Sequence, residues 1–152
     1  MKVALACSVG GHLTQMRQLE KLYKQHNYFF ITEDTLMTRE LAKKENVYLL
    51  ELINRKKWNF PFLMLVIFFK TLFCLIKEKP DLIICTGALS SIPSCIIGKL
   101  MRKKVVYIES FAKMNSPTLT GKLVYKFADL FIVQWESMLR FYPKAVYGGS
   151  IY

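Results

Sequence analysis

Apolar residues along the chain fall into short runs that are hydrophobic throughout, not only at every second position. Six such runs are Lys2–Cys7, Tyr28–Thr32, Val47–Leu52, Asp81–Thr86, Val105–Glu109 and Leu130–Gln134. They are rich in β-branched or aromatic residues, and unbroken apolar strands are typical of a parallel sheet that is buried on both faces. The pattern therefore predicts six strands of one parallel sheet.

Longer stretches with helical spacing of apolar residues separate these runs. They are His12–Gln25, Thr35–Lys44, Phe60–Lys79, Ile92–Met101, Thr118–Phe127 and Glu136–Phe141. Strands that alternate with helices build βαβ units, in which the helices cover both faces of the sheet. Because no linker or repeat divides the 152 residues, we expect one α/β domain, residues 1–152, with a Rossmann-like parallel sheet.

The residues that follow three of the predicted strands have the chemistry of a binding site. They are Ser8, Gly10, Gly11 and His12 after the first strand, Thr86, Gly87 and Ala88 after the fourth, and Glu109 at the end of the fifth. Ligands of an open parallel sheet bind at this carboxyl edge. Glycine lets backbone N–H groups approach an anion, and an imidazole can take up a proton near neutral pH. We expect one shared site here; the alternative for the first loop is a plain tight turn with a solvent-facing histidine.

Glu109 and three further residues near this edge have more than one interpretation. Glu33 and Asp34 follow the second strand, and we expect them to cap the helix that begins near Thr35 rather than to touch a substrate. Glu109 is compatible with a structural ion pair to a lysine as well as with a catalytic role. Trp135 belongs either to the core or to an interface with a partner.

The segment Phe60–Ile76 is apolar on every side apart from Lys70 and Thr71. Its seventeen residues would rise about 25 Å, which is short for a bilayer, and spanning would separate strands expected to be neighbours in one sheet. We therefore predict a crossover helix over about residues 58–79, with one face on the sheet and another in a membrane interface. The side chains predicted to contact lipid are Trp58, Phe62, Leu65 and Phe69. A fully buried helix, or one covered by a protein partner, is the alternative.

The charge balance adds an expectation about partners. Lys and Arg number 22 against 11 Asp and Glu, a net charge of +11, and hydrophobic residues make up 53% of the chain. Basic runs occur at 43–44, 55–57 and 102–104. This combination favours a membrane surface with anionic lipid over nucleic acid, for which no zinc-finger or RNA-binding signature is present. A merely solvated basic face is the alternative.

The cysteines indicate neither a metal site nor disulfides. Cys7, Cys74, Cys85 and Cys95 lie in apolar segments without metal-ligand spacing, so we expect reduced core residues of a cytosolic protein, with no metal and no cofactor. Met1–Cys7 continues directly into the glycine turn without a cleavage site and is not expected to be a signal peptide.

Five blocks resemble one family. They are 8–12, 86–88 with Pro93, 107–112, 119–123 and 133–136. Together they are similar to the Alg-type membrane-recruiting subunit of the two-part N-acetylglucosaminyltransferase of lipid-linked oligosaccharide synthesis, whose bacterial relatives include PssD-like and capsular polysaccharide subunits. The resemblance extends from Lys2 to about Gly149. More distantly, the order of blocks is similar to the N-terminal half of MurG, the glycosyltransferase of peptidoglycan synthesis.

The resemblance implies a split GT-B enzyme that is inactive as a single chain. This chain would be the N-terminal, acceptor-side domain, and a separate subunit with the C-terminal domain would bind the UDP-sugar. The acceptor would be a lipid-pyrophosphate-linked saccharide of capsule or exopolysaccharide biosynthesis, and the chain would lie peripherally on the cytoplasmic face of the membrane. The partner interface would use the carboxyl-edge loops and Tyr142–Tyr152.

Two departures from the resembled proteins affect these expectations. Eukaryotic members carry an N-terminal transmembrane anchor, which we expect to be absent because the first strand starts at residue 2, so attachment falls to residues 58–79. The first loop of MurG has more glycines than this chain, in which Cys7 and Ser8 stand instead.

The resemblance also suggests roles for the site residues. In an inverting transfer, His12 would deprotonate the acceptor hydroxyl as it attacks the anomeric carbon. Glu109 would orient His12 or the acceptor, or would itself be the base. Backbone amides at 10–11 and 87–88 would approach the acceptor pyrophosphate.

Two other classes of function compete with this interpretation. One is a scaffold that carries its partner to the membrane without contributing an active-site residue. The other is a nicotinamide-dinucleotide oxidoreductase, because Glu33 lies about 20 residues beyond the glycine loop, where a ribose-binding acid would sit. The stretch Ala6–Leu13 lacks the G-x-G-x-x-G pattern, and the chain has no room for a substrate domain.

Overall fold

A computed structural model describes residues 1–54, 56, 58–87 and 89–151, and within them one sheet is built from seven strands. The strands are β1 (Lys2–Cys7), β2 (Asn27–Glu33), β3 (Val47–Leu50), β4 (Leu82–Thr86), β5 (Lys104–Ile108), β6 (Leu130–Val133) and β7 (Val146–Tyr147). All neighbouring pairs are parallel, in the order β3-β2-β1-β4-β5-β6-β7. The predicted Rossmann-like parallel sheet is confirmed.

Helices cover both faces of this sheet. They are α1 (Gly11–Gln18), α2 (Glu20–Tyr23), α3 (Leu36–Ala42), α4 (Phe60–Glu78), α5 (Ile92–Leu100) and α6 (Leu119–Val124), with 3₁₀ helices at Leu89–Ser91 and Glu136–Arg140. One buried cluster joins the sheet to α1 and α2 through Leu13, Met16 and Tyr23. The opposite cluster joins it to α4–α6 through Ile67, Cys95 and Val124. The core is therefore divided between two sheet faces.

Three elements differ from the sequence prediction. The helical stretch predicted over His12–Gln25 is two helices, which meet at Leu19. The last predicted helix is a 3₁₀ helix, Glu136–Arg140. The sequence did not predict β7, because Val146 and Tyr147 are apolar but form a run of only two residues, and both are exposed.

The helix predicted over Phe60–Lys79 is almost fully matched by α4, whose ends have clear local causes. Pro61 lies in its first turn, where the missing N–H costs nothing. Lys79 ends the helix in the left-handed conformation at φ 49°, and Pro80 follows. The strands on either side of α4, β3 and β4, belong to one sheet, as the crossover prediction requires. The expectation that they are neighbours is wrong, because β2 and β1 lie between them.

The four cysteines are free and buried. Burial raises the pKa of Cys7 and of Cys74 to about 12, so neither thiol is a nucleophile at neutral pH. Their predicted position in the core is confirmed.

Candidate functional site

The first loop of the carboxyl edge, residues 8–10, leads directly into α1. Gly10 adopts a φ of 75°, a left-handed conformation that glycine tolerates, and its carbonyl accepts the Thr14 N–H at 3.1 Å. No side chain caps the start of α1. A Cβ on Gly10 would meet no atom within 4 Å, so the space in front of this backbone is open. The loop thus presents backbone and a helix N-terminus to an accessible space.

The side chain of Glu33, at the end of β2, binds the backbone of this loop. Its carboxylate is buried and accepts the backbone N–H of Val9 at 3.3 Å. Burial raises the pKa of Glu33, and the N–H groups of Val9 and Ile53 oppose that rise. The predicted capping role for Glu33 is wrong, because its carboxylate points to the glycine loop and not to α3.

The cap of α3 is Thr35, whose hydroxyl accepts the Thr38 N–H at 3.3 Å. The hydroxyl of Thr38 accepts the Thr35 N–H in return, which completes a capping box. Asp34 pairs with Arg39 through two bonds of 2.6 and 2.8 Å instead of capping the helix. Threonines therefore perform the role that we predicted for the acidic residues.

His12, Gly87 and Ser110 meet at the point where the order of strands reverses, between β1 and β4. Gly87 has a φ of 23°, and a Cβ built on it would lie 2.5 Å from His12 Cε1 and 3.2 Å from Ser110 Cβ. Only glycine leaves room for the imidazole there. Three loops from three strands therefore converge, as the sequence predicted for the carboxyl edge.

The imidazole of His12 is held in a state suited to accepting a proton. Burial lowers its pKa below the usual 6.5, and the negative charge of Glu109 acts in the opposite direction. Its Nδ1 atom is buried and has no hydrogen-bond partner among the described residues. The ring is therefore neutral at pH 7 and is not the solvent-facing histidine of the alternative interpretation.

Glu109 is buried at the end of β5 and its carboxylate is surrounded by donors. Oε1 accepts the N–H of Ser110 at 2.8 Å, and Oε2 accepts the Tyr142 hydroxyl at 2.7 Å. Thr118 donates to it through both its N–H, at 3.3 Å, and its hydroxyl, at 2.9 Å. The predicted ion pair with a lysine is wrong, because within the described residues these neutral donors satisfy the carboxylate instead.

Gly121 makes this arrangement possible. A Cβ at Gly121 would lie 2.1 Å from Glu109 Oε2 and 2.6 Å from the Tyr142 hydroxyl. The carboxylate thus binds the start of α6 to the loop after β5. Thr118 and Tyr142 were not identified from the sequence, since no sequence pattern pairs either position with Glu109.

Residues 110–118, between β5 and α6, are held by a second set of contacts from the chain after β6. Gln134 donates to the Glu109 carbonyl at 2.9 Å, and Trp135 Nε1 donates to the Phe111 carbonyl at 2.7 Å. The rings of Phe111 and Trp135 lie 4.8 Å apart. Trp135 is partly buried and packs against the core, as the core interpretation predicts. Tyr142, at the start of the predicted partner interface, is also buried.

The remaining predicted site residues are placed as follows. Ser8 is half-buried in the first loop, and Gly11 begins α1. Thr86 is fully buried and donates its hydroxyl to the His12 carbonyl at 3.4 Å, so its side chain supports the loop from inside. Ala88, Arg55, Lys57 and Tyr152 lie outside the described residues. No cluster of three or more His, Cys, Asp or Glu side chains suited to a metal ion occurs in the described part of the chain.

A second feature is the outer side of α4, which is apolar and exposed. We call it the α4 ridge, and its members are Phe62, Leu65, Phe69, Phe73 and Ile76, each more than half exposed. Ile67, Thr71, Cys74 and Leu75 face the sheet from the other side of the helix. The fully buried alternative for this helix is therefore wrong.

The surroundings of the α4 ridge are aromatic and basic. Trp58, before the helix, is 95% exposed, and Lys56, Lys77 and Lys79 are exposed at its two ends. By length and composition, α4 could cross a membrane. Of its most apolar 18-residue stretch, 22% is buried inside the protein. All four side chains predicted to contact lipid are thus accessible for that role.

Comparison with known proteins identifies the family. The model of the family described as "Oligosaccharide biosynthesis protein Alg14 like" matches residues 3–151. The chain belongs to the Alg14-like family. This agrees with the resemblance read from the sequence blocks.

Curated relatives of the Alg14-like chain are named as subunits of a transferase. The "UDP-N-acetylglucosamine transferase subunit ALG14" of Mus musculus is 28% identical over 99% of this chain and 83% of its own length. The protein of the same name from Rattus norvegicus is 41% identical over 49% of this chain, and the match covers 38% of the rat protein.

Solved structures show the fold of a larger enzyme class. MurG of Acinetobacter baumannii superposes with a TM-score of 0.72 and 17% identity over 90% of this chain and 43% of MurG. The UDP-GlcNAc 2-epimerase of Methanocaldococcus jannaschii gives 0.73 and 14% over 99% of this chain and 46% of that protein. The Alg14-like chain therefore has the fold of one half of these two-domain proteins.

Proposed function

We propose that this chain is the acceptor-binding and membrane-recruiting subunit of a heteromeric, UDP-sugar-dependent glycosyltransferase. The observation that carries the proposal is that a member of the Alg14-like family has a fold that matches 43% of MurG, with His12 packed against Gly87 at its carboxyl edge. A transferase with a two-domain cleft needs a second domain to complete the site. The word "subunit" in the names of the curated relatives supports a separate partner for that role.

The partner supplies the nucleotide-sugar site. The names of the relatives indicate UDP-N-acetylglucosamine as the donor. The acceptor is a lipid-pyrophosphate-linked saccharide, whose charge suits the open backbone at Gly10 and the uncapped start of α1. The assignment to capsule or exopolysaccharide biosynthesis stays a prediction, since the curated relatives do not test it.

His12 is the base of this reaction. Its neutral imidazole takes the proton of the acceptor hydroxyl while that oxygen attacks the anomeric carbon and the nucleoside diphosphate leaves. Burial keeps the ring unprotonated, and Gly87 leaves the space that the ring occupies. Glu109 acts as a positioning residue, because its carboxylate is buried and its contacts are with protein donors.

The α4 ridge attaches the subunit peripherally to the cytoplasmic face of a membrane. Its apolar side chains enter the interface, Trp58 suits the depth of the headgroups, and the flanking lysines meet anionic lipid, each contributing about 1 kcal/mol. Because α4 begins at the carboxyl edge, this attachment also holds the site near the membrane surface.

One observation favours a scaffold without a catalytic group as the second candidate. The carboxylate of Glu109, one of the two predicted catalytic groups, is fully engaged inside the protein. In that case the base belongs to the partner, and His12 only supports the loop.

The dinucleotide-binding alternative depended on Glu33 as the acid that binds a ribose. The carboxylate of Glu33, which would have to reach a ribose, is instead buried against Val9. The Alg14-like family membership replaces that interpretation.

Co-expression tests the proposal. The chain is produced with a protein that has the C-terminal domain of a GT-B transferase, and the mixture is separated by gel filtration. We expect one stable complex that binds vesicles containing a lipid-pyrophosphate saccharide. Separate elution of the two proteins at micromolar concentration would contradict a split enzyme.

A further inference from the structure

An open groove of about 430 Å³ lies between α4 and β3, the edge strand of the sheet. Its lining residues are Tyr48, Leu49, Leu50, Phe69, Lys70 and Phe73. Five of the six are aromatic or aliphatic, so the groove suits a hydrocarbon more than a polar ligand.

Polar contacts hold the two walls together at both ends of the groove. The hydroxyl of Tyr48 donates to Glu78 near the end of α4. Lys70 pairs with Glu51, which follows β3 at the carboxyl edge. The walls are thus fixed relative to each other, and a charged lysine stands at the end nearer the candidate site.

The position of the groove links the two functional features of the molecule. Leu50 is paired in register with Glu33, whose carboxylate holds the first glycine-containing loop. Phe69 and Phe73 belong to the α4 ridge, so the opposite wall opens onto the surface that we assign to the membrane. The groove therefore lies between the carboxyl edge and the membrane face.

We propose that this groove binds the hydrocarbon chain of the lipid-pyrophosphate acceptor. The inference rests on the proposed function, in which the acceptor has its pyrophosphate at the carboxyl edge and its chain in the membrane. A chain that connects those two places passes along α4 and beside β3. A bulk phospholipid has its headgroup at the membrane surface, so its hydrocarbon chains are not directed through the groove.

Photolabelling tests the groove. The full chain is bound to vesicles of phosphatidylcholine and phosphatidylglycerol that contain a trace of a probe with a diazirine in its hydrocarbon chain. One probe is a polyprenyl pyrophosphate and the other is a phosphatidylglycerol, and labelled peptides are identified by mass spectrometry. We expect the polyprenyl probe to label 48–50 and 69–73, and the phospholipid probe to label the membrane face without enrichment there.

Two matched double variants separate the groove from general membrane contact. Phe69→Ala with Phe73→Ala removes one wall of the groove, whereas Phe62→Ala with Leu65→Ala removes two members of the α4 ridge that do not line it. Per molecule of bound protein, the first pair is expected to lower groove labelling about tenfold and the second to leave it unchanged. Circular dichroism checks that both variants are folded.

The possible outcomes distinguish this inference from the proposed function. Absence of vesicle binding by the unmodified chain would contradict the membrane role itself. Vesicle binding without selective labelling of the groove by the polyprenyl probe would overturn the groove assignment alone. An equal loss of labelling in both double variants would also overturn it.

Discussion

His12 carries the largest predicted effect of a single side chain. His12→Ala in the assembled complex is expected to lower transfer roughly 10²–10⁴-fold, the usual contribution of a general base. His12→Asn separates a base from a hydrogen-bond donor, because an amide donates but takes no proton near neutral pH. Initial rates at saturating acceptor measure this effect. Near wild-type activity of both variants in an intact complex would favour the scaffold.

The lowered pKa of His12 also predicts a dependence of stability on pH. The unfolded chain binds a proton near pH 6.5, whereas the folded chain binds it only at lower pH. The contribution of His12 to stability is therefore present above pH 6.5 and is lost as the pH falls through the folded-state pKa. Urea unfolding at pH 7.5 and 5.5 is expected to show a larger loss for the wild type than for His12→Asn. An identical loss would place the imidazole in solvent.

Glu109 is predicted to matter for the position of its loop more than for proton transfer. Glu109→Gln is expected to lower the free energy of unfolding by about 2 kcal/mol, because an amide cannot accept all the bonds that the carboxylate receives. Glu136→Gln, at an exposed position nearby, is the control and is expected to change stability by less than about 0.5 kcal/mol. If Glu109→Gln abolishes transfer without loss of stability, Glu109 is a catalytic group and not a positioning residue.

The convergence of His12 and Gly87 could be predicted because both follow strands of one parallel sheet. The surroundings of Glu109 could not, because they depend on how the loop to Thr118 folds back and on Tyr142, which lies 33 residues further along the chain. The reversed roles of Glu33 and Thr35 have a similar cause. Capping preference is local, whereas the Val9 N–H that Glu33 binds is brought to it by the pairing of β1 with β2.

Among the elements, α4 is the one on which the proposed membrane attachment depends. The triple variant Phe62→Ser, Leu65→Ser and Phe69→Ser is expected to move the chain from vesicles to the soluble fraction. A matched triple, Leu22→Ser, Leu36→Ser and Met37→Ser, removes exposed apolar side chains from α2 and α3 and is expected to keep vesicle binding. Sedimentation with vesicles measures both.

The same prediction covers how vesicle binding depends on lipid charge and on salt. Binding is expected to rise with phosphatidylglycerol content and to fall with salt, because the lysines that flank α4 are exposed. Retention of the folded α4 triple on vesicles would show that another surface provides the attachment. Resistance to alkaline carbonate would contradict a peripheral attachment.

The pattern of the sequence predicted the elements that are strongly apolar and missed those that are not. Phe60–Glu78 and the six longer strands have long apolar runs, and their bounds agree within a few residues. The break at Leu19 and the two-residue β7 depend on packing against neighbours. The fold places Ile67 and Leu75 of α4 against the sheet, which leaves Phe62, Leu65 and Phe69 exposed as the sequence predicted.

For the whole molecule, the chain has a fold that matches less than half of MurG and of the epimerase. In the proposed enzyme, a separate partner docks at the carboxyl edge, beside His12 and Gly87, and completes the site. The α4 ridge begins at the same edge, so a partner docked there would work directly above the membrane. In the proposed enzyme, this chain binds the acceptor and the partner binds the donor.

The split-enzyme proposal is tested by transfer of radiolabelled N-acetylglucosamine from its UDP derivative to a lipid-pyrophosphate saccharide in anionic vesicles. The assay compares this chain alone, a protein with the C-terminal domain alone, and the two together. We expect negligible transfer by either protein and sustained transfer by the mixture, with loss of that transfer on His12→Ala. Robust turnover by this chain alone, or equal turnover by the partner with and without it, would show that the enzyme is not divided between the two proteins.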